Sequence, residues 1–187
     1  YILWGMERFV SLLNVCPELY DRTIIINGVS KAQAMTGWRI GYAAGPQPII
    51  AAIKKLQSQS TSCANSIAQK AATAALQAEP STYFAPMLEA YHERHDWLLQ
   101  AINNIPGLHA IPASGTFYLF VDVSEALKNL GIEDDISLAT HLLENAHVAT
   151  VPGTAFGSPG YLRLSFATSQ DNLQQAVERL TAVINNA

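Results

Sequence analysis

Two basic side chains stand in the otherwise uncharged stretch Asn27-Gly28-Val29-Ser30-Lys31-Ala32-Gln33-Ala34-Met35-Thr36-Gly37-Trp38-Arg39-Ile40-Gly41-Tyr42. Lys31 and Arg39 are the only charged residues between Thr23 and Ile53, and no carboxylate in that interval can neutralise them. Most lysines lie solvated among other polar residues. In this apolar, glycine-punctuated setting, the two cations instead predict a binding site for an anion.

Apolar runs on both sides place these cations between two strands. The β-branched run 23–26 predicts a buried strand that is broken at Asn27-Gly28, so we expect Lys31 on the loop that follows. A second strand is predicted for 38–44, with Arg39 at its start. The sequence therefore brings both cations to one strand-loop-strand segment.

The two side chains suit different parts of one ligand. A lysine held in apolar surroundings beside another cation loses part of its preference for the charged form, so the amine of Lys31 becomes a nucleophile for a carbonyl. The planar guanidinium of Arg39 matches the geometry of phosphate oxygens. An aldehyde cofactor that carries a phosphate would use both groups.

The stretch from Gly28 to Gly41 resembles the pyridoxal-phosphate attachment signature of class-I aminotransferases, and its second half is similar to the bacterial aspartate aminotransferase branch. This resemblance implies that Lys31 binds pyridoxal 5'-phosphate as a Schiff base. It also implies that Arg39 anchors the phosphate and that Ser30 belongs to the cofactor site. Some relatives have Ser where this chain has Gly28, which removes one hydroxyl contact to the phosphate.

Members of this family are longer than this chain of 187 residues. In the family an Asp-x-x-Tyr element precedes the lysine strand; its Asp pairs with the ring nitrogen of the cofactor and its Tyr with the phenolic oxygen. Tyr1 falls where that Tyr belongs, so the Asp would precede residue 1. We therefore expect a C-terminal half cut through the active site, with little or no turnover alone. A disordered terminal residue is the alternative interpretation of Tyr1.

Arg163 lies in the predicted strand 161–166, on the same face as Tyr161 and Ser165. The strand pattern alone favours an arginine on a solvated face. However, the segments 152–157 and 161–165 resemble the family segment whose arginine binds the α-carboxylate of the substrate. The resemblance implies that Arg163 binds the carboxylate that an amino acid and its 2-oxo product share.

The resemblance implies an α/β fold in three parts. They are the C-terminal part of the large, cofactor-binding domain of a fold-type-I pyridoxal-phosphate-dependent transferase (1–79), a long linker helix (80–104) and a small α/β domain (105–187). In the family, the polar segment that contains Thr61 and Asn65 reaches toward the neighbouring active site. A solvated loop is the simpler interpretation of that segment.

Hydrophobic periodicity predicts further elements along the chain. Strands are predicted for 108–111, 115–123 and 148–151. Helices are predicted for 47–58, 66–77 and 136–145, the last with Asp135 as its N-cap. A final helix follows Ser169, and we expect it to turn one apolar face inward, made of Leu173, Ala176, Val177, Leu180, Val183 and Ile184.

The function implied by the resemblance is transamination between an amino acid and the 2-oxo acid 2-oxoglutarate. Aspartate is the amino acid that we expect first. The same scaffold and lysine also serve aromatic or branched-chain aminotransferases, β-lyases and decarboxylating enzymes. A non-catalytic remnant is a further alternative. The resemblance implies a homodimer for the full-length protein.

Composition narrows the possible partners. A net charge of −4 gives no basic patch for nucleic acid, and no apolar run approaches the roughly 20 residues that span a bilayer. Cys16 and Cys63 match no metal or redox spacing, so we expect free, buried thiols, as in a cytoplasmic protein. His92 and His95 are three residues apart, unlike a zinc-protease pair, so we predict no metal site.

Overall fold

The computed structural model describes residues 1–5 and 8–185, and of residues 80–83 it describes the backbone alone. Its chain divides into two units, one made of Tyr1 and Met6–Pro86, the other of Ile2–Gly5 and Met87–Ala187. The predicted three-part division of the chain stays a prediction.

The first unit contains a two-stranded antiparallel sheet and two main helices. Its elements are α1 (Leu12–Val15), a 3-10 helix (Pro17–Arg22), β1 (Ile25–Gly28), a 3-10 helix (Thr36–Trp38), β2 (Gly41–Ala44), α2 (Gln47–Ser60) and α3 (Ser66–Gln77). Asn65 caps α3, because its side chain accepts a hydrogen bond from the backbone N–H of Ala68. The helices predicted for 47–58 and 66–77 are confirmed.

The core of the first unit is small. Its main cluster of buried apolar side chains, among the described residues, consists of Val29, Met35, Ile40, Ala68 and Ala72, so the segment between the strands packs against α3. The prediction of a buried strand at 23–26 is wrong in this structure, since Ile26 is 82% exposed. A sheet of only two strands has no further layer to cover that apolar run.

The helix α4 (Pro80–Asn103) leads into the second unit, which contains a four-stranded antiparallel sheet in the order β3-β4-β6-β5. Its elements are β3 (His109–Ile111), β4 (Tyr118–Asp122), α5 (Ser124–Leu130), α6 (Asp135–Ala146), β5 (Val151–Pro152), a 3-10 helix (Gly153–Phe156), β6 (Tyr161–Ser165) and α7 (Gln170–Asn185). The strand predicted for 148–151 is reduced to the two residues of β5.

A much larger core holds the second unit together. Alternation along β4 buries Leu119 and Val121, and α7 turns Leu173, Leu180 and Ile184 inward, as predicted. These side chains belong to one cluster of 15 buried apolar residues. Burial of that much apolar surface is the main favourable contribution to folding.

The predicted N-cap of α6 is off by one residue. Asp134, in extended conformation, caps the helix by accepting from the N–H of Ser137 at 2.7 Å. Asp135 is the first helical residue and is buried, with its carboxylate bonded to Thr154. Two consecutive aspartates offer two possible caps, and the sequence does not distinguish them.

Residues 2–5 pack into the second unit. Leu3 forms an antiparallel bridge with Gly115, and the indole N–H of Trp4 donates to the carbonyl of Ala113 at 3.0 Å. The Trp4 ring stacks on His92, and the buried His95 accepts from the N–H of Ala113. The histidine pair thus has a packing role in this structure.

Across residues 1–5 and 8–185, no helix is long and apolar enough to cross a membrane. Within the same described part of the chain, no three His, Cys, Asp or Glu side chains are placed to hold a metal ion. Cys16 and Cys63 are both free cysteines, but the prediction that they are buried is wrong, since Cys16 is half-buried and Cys63 is exposed.

Candidate active site

Lys31 lies on the segment that joins β1 to β2, and this segment is closed at its base. The N–H of Val29 donates to the carbonyl of Ile40 at 3.4 Å, and the N–H of Met35 donates to the carbonyl of Val29 at 3.3 Å. A Cβ at Gly28 would lie 3.1 Å from the carbonyl oxygen of Ile40, so glycine lets the two strand ends approach. The segment is therefore fixed to the core while Lys31 itself is exposed.

The exposure of Lys31 differs from the sequence prediction, which assumed apolar surroundings for the amine. Val29 and Gln33 on either side of Lys31 are buried, at 0% and 3% exposure. These neighbours anchor the backbone around Lys31, and its side chain extends from that anchored backbone. The amine of Lys31 thus lies on the exposed side of this segment.

The sequence predicted that Arg39 lies at the start of the second strand, but in the structure Arg39 precedes β2. It has φ 54° and ψ 47°, a left-handed conformation that turns the chain between the 3-10 helix Thr36–Trp38 and the buried Ile40. Left-handed residues are uncommon outside glycine, so an arginine gives no signal of this turn. The Nη1 of Arg39 donates to the carbonyl of Thr36 at 2.8 Å, which orients the exposed guanidinium on its own loop.

Arg39 borders an open concavity of about 650 Å³ whose other lining residues include Trp38 and Asn65. Pockets of roughly 300–1,000 Å³ hold cofactor-sized ligands. Asn65, interpreted from sequence as part of a solvated loop, therefore both caps α3 and borders this space. Its position just before an apolar helical run was a signal for the cap.

The donors on this loop fit an aldehyde that carries a phosphate. Lys31 supplies a primary amine, Arg39 a guanidinium and Ser30 a hydroxyl, all within one segment whose ends are fixed by Val29 and Ile40. An amine reacts with a carbonyl carbon, and a guanidinium and a hydroxyl donate hydrogen bonds to phosphate oxygens. The residues present thus match the cofactor that the sequence resemblance implies.

Tyr1 is held by packing in the first unit. Its ring stacks on Phe84 with centroids 4.8 Å apart and an interplanar angle of 9°, and 61% of the residue stays exposed.

Thr61 is the C-cap residue of α2 and is exposed.

Arg163 lies in the second unit, at the centre of β6, and the structure places it among aromatic rings. Its guanidinium carbon lies 4.1 Å from the ring centroid of Tyr118 and 4.7 Å from that of Phe156. The side chain is half-buried, so the strand-pattern interpretation of a solvated arginine is wrong. Within the described part of the second unit, no carboxylate lies at ion-pair distance from this guanidinium.

Sequence reasoning missed both aromatic partners of Arg163. Tyr118 pairs with Ser165 across β4 and β6, which makes it a diagonal neighbour of Arg163 on the same face. Phe156 comes from the 3-10 helix before β6, and no strand pattern predicts its position. The cross-strand register could have identified Tyr118 once the pairing of the two strands was known.

A third residue whose role sequence reasoning missed is Asp135, which is 1% exposed. Its two carboxylate oxygens accept hydrogen bonds from the backbone N–H and the hydroxyl of Thr154, each at 2.7 Å. Burial raises the pKa of Asp135, but hydrogen bonds from Thr154, from its own N–H and from the N–H of Gly160 together outweigh burial and leave that pKa below its ordinary value. Asp135 is therefore a buried anion fixed to the loop that carries Phe156.

The chain matches the model of a family described as aminotransferase class I and II over residues 2–180. It is 51% identical to the aspartate/prephenate aminotransferase of Nitrosomonas europaea, an alignment that covers 99% of this chain and 48% of that protein. The crystal structure of the aspartate aminotransferase of Rhizobium meliloti matches with a TM-score of 0.90 and 41% identity, over 98% of this chain and 47% of that one.

An aromatic aminotransferase of Pyrococcus horikoshii is also similar in structure, with a TM-score of 0.86 and 33% identity over 99% of this chain and 48% of that one. The chain thus spans about half the length of the proteins that it matches.

Proposed function

Because this chain belongs to the class I and II aminotransferases, we propose that it supplies part of the active site of an enzyme that exchanges amino groups between aspartate and 2-oxoglutarate. Two similar proteins, from Nitrosomonas europaea and Rhizobium meliloti, are named for aspartate. The observation that carries the proposal is the loop that presents an amine at Lys31 and a guanidinium at Arg39 from one anchored segment.

We propose pyridoxal 5'-phosphate as the cofactor; when bound, it supplies an electron sink for bonds at the substrate Cα. Lys31 would bind its aldehyde carbon through Nζ. Arg39 and Ser30 would bind the phosphate through the guanidinium and the hydroxyl, and Tyr1 would donate a hydrogen bond to the phenolic oxygen. The hydrogen bond from Arg39 to Thr36 supports this assignment, because it orients the guanidinium before any ligand arrives.

Arg163 would bind the α-carboxylate of the amino acid and of the 2-oxo acid through paired N–H donors. Its contacts with Tyr118 and Phe156 support this role, since they hold the guanidinium without neutralising its charge. The Nζ of Lys31, released when the amine of the substrate takes its place, would accept the proton from the substrate Cα and donate it to the carbon that had held Nζ. Both substrates share that carboxylate and that proton transfer, so the same two residues serve both halves of the exchange.

The assignment of Lys31 can be tested by trapping the bound cofactor. The purified chain is incubated with pyridoxal 5'-phosphate, reduced with borohydride and digested, and the labelled peptide is identified by mass. We expect the label on Lys31 and its loss in Lys31→Ala. Lys54→Ala, at an exposed lysine of α2, is the matched control and should keep the label. Equal total labelling of the two variants would refute the assignment.

The reaction is tested in the full-length enzyme, by measuring amino transfer to 2-oxoglutarate from aspartate, phenylalanine and cystathionine. Preference for aspartate supports the proposal. Preference for phenylalanine would support the aromatic alternative, which the similarity to the Pyrococcus horikoshii enzyme favours. Release of pyruvate from cystathionine, without amino transfer, would assign the chain to the β-lyases.

We further propose that the full-length enzyme is a cytoplasmic homodimer, as the family resemblance implies. Exposed apolar residues of the first unit, such as Ile26 and Leu56, give that unit surface suited to a protein partner. Sedimentation of the full-length enzyme at a dimeric mass would support the proposal, and a monomeric mass would contradict it.

A further inference from the structure

Asp135 is a buried charge that the proposed reaction does not use. It opens α6 and uses both carboxylate oxygens to hold Thr154, through one bond to the backbone and one to the hydroxyl. Charge-assisted bonds of this kind are about twice as strong as neutral ones. They fix the start of the 3-10 helix Gly153–Phe156 against α6.

This short helix packs closely on β6, the strand that carries Arg163. A Cβ at Gly153 would overlap the carbonyl oxygen of Ser158 and the backbone of Tyr161, so no side chain fits between the helix and the strand. The carbonyl of Gly153 also accepts from the N–H of Ser158 at 3.0 Å. Asp135 and Gly153 thus set where the last residue of the helix, Phe156, is placed.

Phe156 is 48% exposed and needs such support to keep one position. Its ring lies 4.7 Å from the guanidinium carbon of Arg163, and the Tyr118 ring lies 4.1 Å from it. Cation–π contacts favour the face of a guanidinium, whose N–H donors lie in its plane and stay available to an acceptor. The two rings therefore determine where those donors are presented.

We propose that Asp135, Thr154 and Phe156 are positioning residues for Arg163: the carboxylate fixes Thr154, Thr154 fixes Phe156, and Phe156 with Tyr118 orients the guanidinium for a substrate carboxylate. This inference rests on the proposed role of Arg163 in binding that carboxylate. The hydroxyl of Thr154 is the link that can be removed with little change of shape.

The test uses the full-length enzyme and its variants: it follows the side-chain N–H signal of Arg163 by NMR and titrates each protein with 2-oxoglutarate. Arg163→Lys identifies the signal, which the neighbouring rings should shift upfield. Thr154→Val and Asp135→Asn should move this signal toward that of an exposed arginine and weaken 2-oxoglutarate binding about tenfold, the effect of losing one hydrogen bond to a charged group. Thr154→Ser keeps the hydroxyl and should retain both properties.

Thr150→Val is the matched control, because the hydroxyl of Thr150 is buried without a hydrogen-bond partner among the described residues. A folded Thr154→Val protein with an unchanged Arg163 signal would overturn the positioning proposal. A signal that depends on Thr154, in a protein whose wild type does not bind 2-oxoglutarate, would support positioning but overturn the proposed role of Arg163. The two proposals can therefore fail separately.

Discussion

Thr150 and Thr154 lie close in the chain, yet their hydroxyls have opposite surroundings. The hydroxyl of Thr150 is buried and has no partner in the part of the chain that the structure describes, whereas that of Thr154 donates to Asp135. A buried polar group without a partner destabilises the folded state, and valine has nearly the same shape. We expect Thr150→Val to raise the free energy of unfolding by about 1 kcal/mol and Thr154→Val to lower it by about 1 kcal/mol or more. Urea unfolding measures both changes, and a loss of stability in Thr150→Val would contradict the first.

Three aspartates of the second unit predict how stability depends on pH. Backbone hydrogen bonds from Ser124 and Ser137 lower the pKa values of Asp122 and Asp134. Burial raises the pKa of Asp135, but its hydrogen bonds, of which those from Thr154 are the largest, together outweigh burial and lower it.

A carboxyl whose pKa is lower in the folded than in the unfolded state stabilises the fold above the unfolded pKa, and this contribution is lost as the pH falls. We therefore expect the free energy of unfolding to fall as the pH drops below the ordinary aspartate value of 3.8. Denaturant unfolding at a series of pH values measures this decrease, which should be smaller in Asp135→Asn. An identical decrease in that variant would show that Asp135 makes no contribution.

Individual residues show where sequence reasoning stops. The placement of Lys31 between two strands followed from β-branched and glycine-containing runs around it. The left-handed turn at Arg39 did not, because that conformation comes from loop closure and not from the residue type. The sequence pattern assigned Asp135 to a helix cap. Its buried bond to Thr154 was not predictable, because only the fold brings these two positions together.

Gly153 sets the packing of one element on another. It is buried, and any Cβ there would overlap the Ser158 carbonyl and Tyr161, so the 3-10 helix would have to move away from β6. We expect Gly153→Ala to lower the free energy of unfolding by about 1–3 kcal/mol, the usual effect of overpacking. Gly37→Ala is the control, since a Cβ at Gly37 meets no atom within 4 Å. Thermal unfolding compares the two, and equal melting temperatures for both variants would contradict the packing argument.

Elements were predictable where their apolar face is buried within the same unit. The helix α7 followed from Leu173, Leu180 and Ile184 at helical spacing, because their period and their burial agree. The run at 23–26 has an apolar pattern that suits a covered strand, but β1 and β2 make a sheet too narrow to cover it. Sequence periodicity predicts that a side chain favours burial and does not identify what buries it.

At the scale of the whole molecule, the two units differ in how much core they possess. Among the residues that the structure describes, the first unit buries 5 apolar residues in its main cluster, two of them alanines, and the second buries 15. Regions with few buried apolar contacts open at lower free energy than regions with many.

We therefore expect amide hydrogens of α3 in the first unit to exchange faster than those of α7 in the second. Hydrogen exchange followed by mass spectrometry measures this difference. Equal protection of the two helices would indicate a single cooperative unit.

The attachment of residues 2–5 to the second unit lowers the conformational entropy that the first unit gains by unfolding. Trp4 and the bridge from Leu3 to Gly115 anchor the chain before the main segment of the first unit, and α4 continues it into the second unit after that segment. An unfolded first unit would thus be a loop tethered at both ends, with fewer accessible conformations than a free tail. Attachment at both ends lowers the entropy that the first unit gains when it unfolds. Residues 2–5, which pack in the second unit, therefore stabilise the first unit.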